Sequence, residues 1–156
     1  MMIFKSKDGR SAVEVSQSIQ KNIESYSAIS GKNETGGILI GNYKWNQTLA
    51  VISEITGPPS DSKMGLTWFK RGIRGLKQLI EKSWIKGHYY IGEWHFHPYA
   101  SPNPSRQDIQ EMKNIATSKI YNCPEPILVI IGGCVDNFKL RVFVSLGKNQ
   151  LIELYS

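Results

Sequence analysis

Two hydrophobic periods, one near 3.6 residues and one of two, alternate along this 156-residue chain and mark its elements. In SAVEVSQSIQKNIESYS (11–27), Val13, Ile19 and Ile23 fall near one side of a helix, which predicts a helix there. TGGILIGNY (35–43) and TLAVISEIT (48–56) are rich in β-branched residues and separated by a short turn at 45–47, the pattern of an antiparallel strand pair. GPPSDSKMG (57–65) reads as a loop from its prolines, glycines and small polar residues. Over 70–87, Ile73, Leu76, Ile80 and Trp84 recur at helical spacing, with Lys70, Arg74, Lys77 and Lys82 left for the solvated face. Gly72 and Gly75 weaken the first turn of that helix. HYYIGEWHFH (88–97) is strand-like, a proline-containing loop and a helix over 105–118 follow, and 126–133, 138–146 and 150–156 read as closing strands. The pattern predicts an α+β fold over residues 1–156: one domain with a mixed, largely antiparallel sheet packed with two to three helices.

The strand over 88–97 carries candidate chemistry. Alternation sends Glu93, His95 and His97 to one face and Gly92, Trp94 and Phe96 to the other. The bulky set belongs in a core, so the polar set lines something else. Two same-face residues stand roughly 6.5–7 Å apart along a strand. From there, two imidazoles can converge on one zinc ion at about 2.0–2.1 Å. A lone histidine is more often a hydrogen-bonded structural residue, and His88 is read that way. Ser105 after Pro104, with Asp108 three residues on, has the pattern of a helix N-cap with an acidic partner. The same capped helix could present Asp108 as a third ligand and Ser105 as a hydroxyl aimed at the site. The base for a water molecule would be Glu93, Glu34 or Glu54. Glu93 is about 14 Å from His97 by strand rise, too far to serve the same ion. The pattern leaves Glu34 and Glu54 both open.

Composition changes the picture little. The chain is 40% hydrophobic and 21% charged, ordinary for a globular domain, and no apolar stretch reaches the length needed to span a bilayer. The first residues, MMIFKSKDGRS, lack the apolar core of a secretory signal, so a cytoplasmic protein is expected, with Cys123 and Cys134 as free thiols. The formal net charge of +6 suits an acidic partner or nucleic acid. Basic residues and aromatics are not interleaved as in a single-strand groove, so nucleic acid is not an expected partner.

ETGGILIG (34–41) and HFHPYASPNPSRQD (95–108) together resemble the JAMM motif of the JAB/MPN family. In that motif an early Glu precedes H-x-H-P, seven residues and then S-x-x-D. Glu34, His95, His97, Ser105 and Asp108 match it position by position. Phe96 departs from the usual Ser or Thr between the two histidines, which puts in question any hydrogen bond that hydroxyl supplies. The lead-in IGEWH is similar to the prokaryotic branch of the family. The resemblance implies a layered fold similar to that of the cytidine deaminases. It also implies a zinc (Zn2+) isopeptidase or peptidase acting at the C-terminal tail of a ubiquitin-like protein or its conjugate. His95, His97 and Asp108 would hold the metal, Glu34 would be the base and Ser105 would stabilise the oxyanion. Prokaryotic relatives of this kind accompany ubiquitin-transfer-like enzymes in CBASS-type antiviral operons; others process sulfur-carrier proteins. A non-catalytic interaction module is the remaining alternative, although such members typically lose the ligands that this chain keeps.

Overall fold

Residues Ile127–Cys134, ILVIIGGC, are apolar at nearly every position, and a strand of that kind needs cover on both faces. The computed structural model describes residues 1–147 and 150–156 and shows where the cover comes from. In chain order the elements are β1 (Met2–Lys5), β2 (Ala12–Val15), α1 (Gln17–Ser30), β3 (Thr35–Lys44), β4 (Leu49–Ile55), β5 (Lys63–Met64), β6 (Phe69–Lys70), α2 (Leu76–Ile85), β7 (Tyr89–Pro98), α3 (Arg106–Thr117), β8 (Ile127–Cys134), β9 (Asn137–Ser145) and β10 (Leu151–Leu154). Eight strands form one mixed sheet in the order β1-β2-β4-β3-β7-β8-β9-β10, parallel only at β2–β4 and β7–β8. Strands β5 and β6 pair with each other alone. Helix α1 covers one face, where Ile19 and Ile23 share a buried cluster with Leu39, Trp94, Phe96 and Val129. Helices α2 and α3 cover the other, where Leu76, Met112 and Ile115 join Ile38, Tyr90 and Ile130. The α+β architecture is the expected one.

The outermost strands of the sheet meet. Lys5 and Tyr155 exchange two backbone hydrogen bonds of 2.8 Å, an antiparallel bridge between the ends of the strand order. Arg141 on β9 pairs with both carboxylate oxygens of Glu153 on β10.

Several boundaries differ from expectation. The helix read over 11–27 starts only at Gln17. In AVEV, buried Val13 and Val15 alternate with more exposed neighbours, a period of two, so residues 12–15 form β2. Ser16 then caps α1 by accepting the Ile19 N–H at 3.2 Å. The loop read over 57–65 ends in β5, and the helix read from residue 70 starts at Leu76. Asp61 accepts the N–H groups of Ile73 and Arg74 at 3.1 and 2.9 Å, which holds this stretch in a turn. Gly75, at φ 81°, then supplies the left-handed residue before α2. The face of α2 turned inward is therefore Leu76, Leu79, Ile80 and Ser83, while Ile73 and Trp84 are 70% and 66% exposed.

Two outcomes follow from this packing. Leu76→Ala should cost about 2–5 kcal/mol in urea unfolding, and Trp84→Ala no more than about 0.5 kcal/mol. Equal costs would put Trp84 back in the core. Arg141 holds the Glu153 carboxyl below its ordinary range, with burial opposing it more weakly. A depressed carboxyl stabilises the fold above its unfolded value near 4.3 and loses that contribution as pH falls through the folded value. Glu153→Gln should therefore be about 0.5–1 kcal/mol less stable than the wild type at pH 7, with the gap closing below about pH 4. A gap that does not change with pH would remove this ion pair from the account.

Candidate active site

Strand β7 lies between β3 and β8 at the middle of the sheet. Its Trp94 and Phe96 face α1, and the Phe96 ring stands edge-on to Phe138 at 5.9 Å between centroids. Phe96, the residue that departs from the motif, thus lies on the opposite face from the histidines. Upstream the alternation breaks. The register with β3 shifts so that Leu39 faces Gly92 and Ile40 faces Tyr90, leaving Ile91 as the extra residue of a bulge. The bulge brings Tyr90 to the same side as Glu93, and its hydroxyl donates to the Glu93 carboxylate. Arg71 donates to the other oxygen of Glu93 and to the Tyr121 hydroxyl. Glu93 is 2% exposed and already committed to this ion pair. Arg71 and Tyr121 went unforeseen in the sequence; the available signal was a carboxylate on an inward strand face, which demands a cation.

Further along β7 the sequence-predicted residues gather. Thr35 on β3 pairs with Phe96, which sets Glu34, just before the strand, beside His97. Glu34 Oε1 is 3.5 Å from His97 Nε2. Glu54 lies on β4 with its side chain exposed, so of the two carboxylates only Glu34 reaches the histidines. Gly36 sits opposite His95 in the register, and a Cβ there would come within 2.9 Å of both the His95 ring and Phe69. Its absence lets Phe69 approach the imidazole edge-on, at 5.8 Å between centroids. His88 remains outside the cluster, in the connection between α2 and β7.

Helix α3 delivers the carboxylate. Ser105 is its N-cap: the hydroxyl accepts the Asp108 N–H at 3.0 Å, and Asp108 Oδ2 accepts the Ser105 N–H at 2.8 Å, a complete capping box. The preceding loop is tied to the sheet by Tyr99 N–H on Gly133 O at 2.8 Å and by Arg141 on Asn103. With the helix start held, Asp108 Oδ1 sits 2.7 Å from His95 Nδ1 and Oδ2 sits 3.2 Å from His97 Nε2.

Burial opposes charge on His95, but the Asp108 hydrogen bond outweighs it and holds the imidazole above its ordinary value. Burial also works against ionised Asp108, yet His95 and His97 pull it far below the usual carboxylate range. Burial, reinforced by the charge of Asp108, raises Glu34. The donor set of two imidazoles and a carboxylate is the set zinc takes in open-sided sites. The 3.2 Å between His97 Nε2 and Asp108 Oδ2 is near the roughly 3.3 Å that separates two atoms each about 2.0–2.1 Å from one tetrahedral ion. On the far side of the His95 ring from Asp108, Nε2 is buried and has no hydrogen-bond partner among the described residues. The residues therefore fit a zinc ion. That fit is one of donor type: in the arrangement described the side chains bond to one another, and no group of three or more His, Cys, Asp or Glu among the described residues is placed so that it could hold a metal ion as it stands.

Residues 17–145 match the model of prokaryotic homologs of the JAB domain. A protein of Enterobacter hormaechei named CD-NTase/cGAS isopeptidase is 45% identical over 83% of this chain and 72% of its own length. One of the same name from Pseudomonas aeruginosa is 26% identical over 85% and 84%. A solution structure from Desulfitobacterium hafniense superposes with a TM-score of 0.69 over 92% of this chain and 90% of that one, at 15% identity, and supports the fold alone. With the family model covering most of its length, this chain belongs to the prokaryotic homologues of the JAB domain.

Proposed function

We propose that this protein is a zinc-dependent isopeptidase that releases a ubiquitin-like modifier, cut after its C-terminal tail, from a conjugated target in the cytoplasm. The observation that carries the reading is the convergence of Glu34, His95, His97 and Asp108, from β7 and the starts of β3 and α3, linked in a chain of contacts of 2.7–3.5 Å. His95, His97 and Asp108 would hold the zinc, which when bound polarises a scissile carbonyl and lowers the pKa of a water molecule. Glu34, with its proton affinity raised by burial, takes a proton from the attacking water and hands it to the departing amine. Ser105 spends a lone pair on the Asp108 N–H, so its own hydroxyl hydrogen is free to donate to the oxyanion.

The β5–β6 hairpin supports a binding mode for an extended tail. It is fastened to the site by Glu34 N–H on Gly65 O at 2.9 Å and by Gln107 on Phe69 O at 3.3 Å, so a tail laid along it would be led toward Glu34. The name shared by the relatives favours deconjugation over sulfur-carrier processing. We take the conjugated target to be a CD-NTase, and the partner system to be the ubiquitin-transfer-like enzymes that make the bond.

The test uses an isopeptide-linked conjugate of a ubiquitin-like protein and a CD-NTase, followed by gel, with zinc content measured on the same samples. Wild type should carry about one zinc and separate the two proteins. Glu34→Ala should keep the zinc and lose roughly 10²–10⁴-fold in rate. Asp108→Ala should lose both metal and cleavage. Full cleavage by Glu34→Ala would remove that residue as the base, and retained zinc in Asp108→Ala would remove the ligand set. A zinc-loaded wild type that binds the conjugate without turnover would instead make the protein an interaction module.

A further inference from the structure

Resting on the zinc reading above, we infer that Glu111 is a positioning residue for His95, the acceptor that fixes which ring nitrogen carries the proton. The His95 ring lies between two carboxylates of one helix. Nδ1 faces Asp108 Oδ1 at 2.7 Å, and Nε2 faces Glu111 Oε2 at 3.8 Å. Asp108 and Glu111 are three residues apart on α3, so they project from the same side one turn apart. Glu111 is itself held: Gln107, one turn back, donates to its Oε1 at 3.4 Å and to Phe69 O at 3.3 Å. That leaves Oε2 directed at the histidine. Phe69 and the bare backbone of Gly36 close the rest of the ring in.

The argument turns on proton placement. An ion shared with Asp108 takes the Nδ1 side of His95, because that is the side turned to Asp108. A neutral imidazole with Nδ1 so engaged carries its one hydrogen on Nε2. Nε2 is buried and has no hydrogen-bond partner among the described residues, and a buried N–H without an acceptor is destabilising. Glu111 is the carboxylate at hand. A modest closing of the 3.8 Å gap gives the N–H its acceptor, locks the tautomer and makes Nδ1 a better donor. Glu111 thereby favours the form of the ring that leaves Nδ1 free to bind.

The test is zinc affinity, by competition with a chromophoric chelator, on wild type, Glu111→Ala and Glu111→Gln, with urea unfolding of each in chelator. Glu111→Ala should bind zinc about 10–100-fold more weakly, with metal-free stability close to wild type. Glu111→Gln, which keeps an acceptor oxygen, should recover most of the affinity. Imidazole nitrogen spectra of the zinc-loaded protein should show the His95 proton on Nε2. Wild-type affinity in Glu111→Ala would overturn the assignment, and so would a Gln variant as weak as the Ala one, which would make the negative charge the active element. A wild type that binds no zinc would instead bring down the zinc reading, so the two failures are distinct.

Discussion

One carboxylate joins the sheet to the helix that serves it. Asp108 accepts the Ser105 N–H that starts α3, bonds His95 through one oxygen and stands beside His97 with the other. Burial would normally push such a group toward its neutral form, and two imidazoles together with the backbone N–H hold it ionised instead. The same contacts that make it an ion fix its position to within a hydrogen bond. Helix geometry, strand geometry and the charge of the site thus depend on a single side chain.

That dependence explains what the sequence disclosed. The two-residue spacing of His95 and His97 and the capping pattern of Ser105 and Asp108 are local, set by strand period and helix start, and both were legible. Glu34 and Glu54 could not be separated because the choice lies in the register between β3 and β7, a pairing of distant segments that no local pattern states. The bulge at Ile91 was hidden for the same reason, and with it the partnership of Tyr90 and Glu93. Arg71 was obscured by an apparent helical rhythm that Asp61 and Gly75 interrupt. The resemblance to the JAB/MPN family named Glu34, and the sheet shows by what pairing it comes to lie beside His97.

Charge is arranged against the average. A chain of formal charge +6 gathers Glu34, Asp108 and Glu111 round two histidines, while Arg71 is paired with Glu93. The basic balance therefore says little about the site, where carboxylates outnumber the cationic groups.

The bridge between Lys5 and Tyr155 has a consequence for the order in which the molecule assembles. It joins residues from opposite ends of the chain, so its entropy of closure is among the largest in the fold and only two hydrogen bonds offset it directly. The elements that carry the cluster, and the β8 and β9 residues that hold the loop before α3, all precede Tyr155 in the chain. The active-site cluster can thus form on an incomplete sheet, with the first and last strands brought together afterwards.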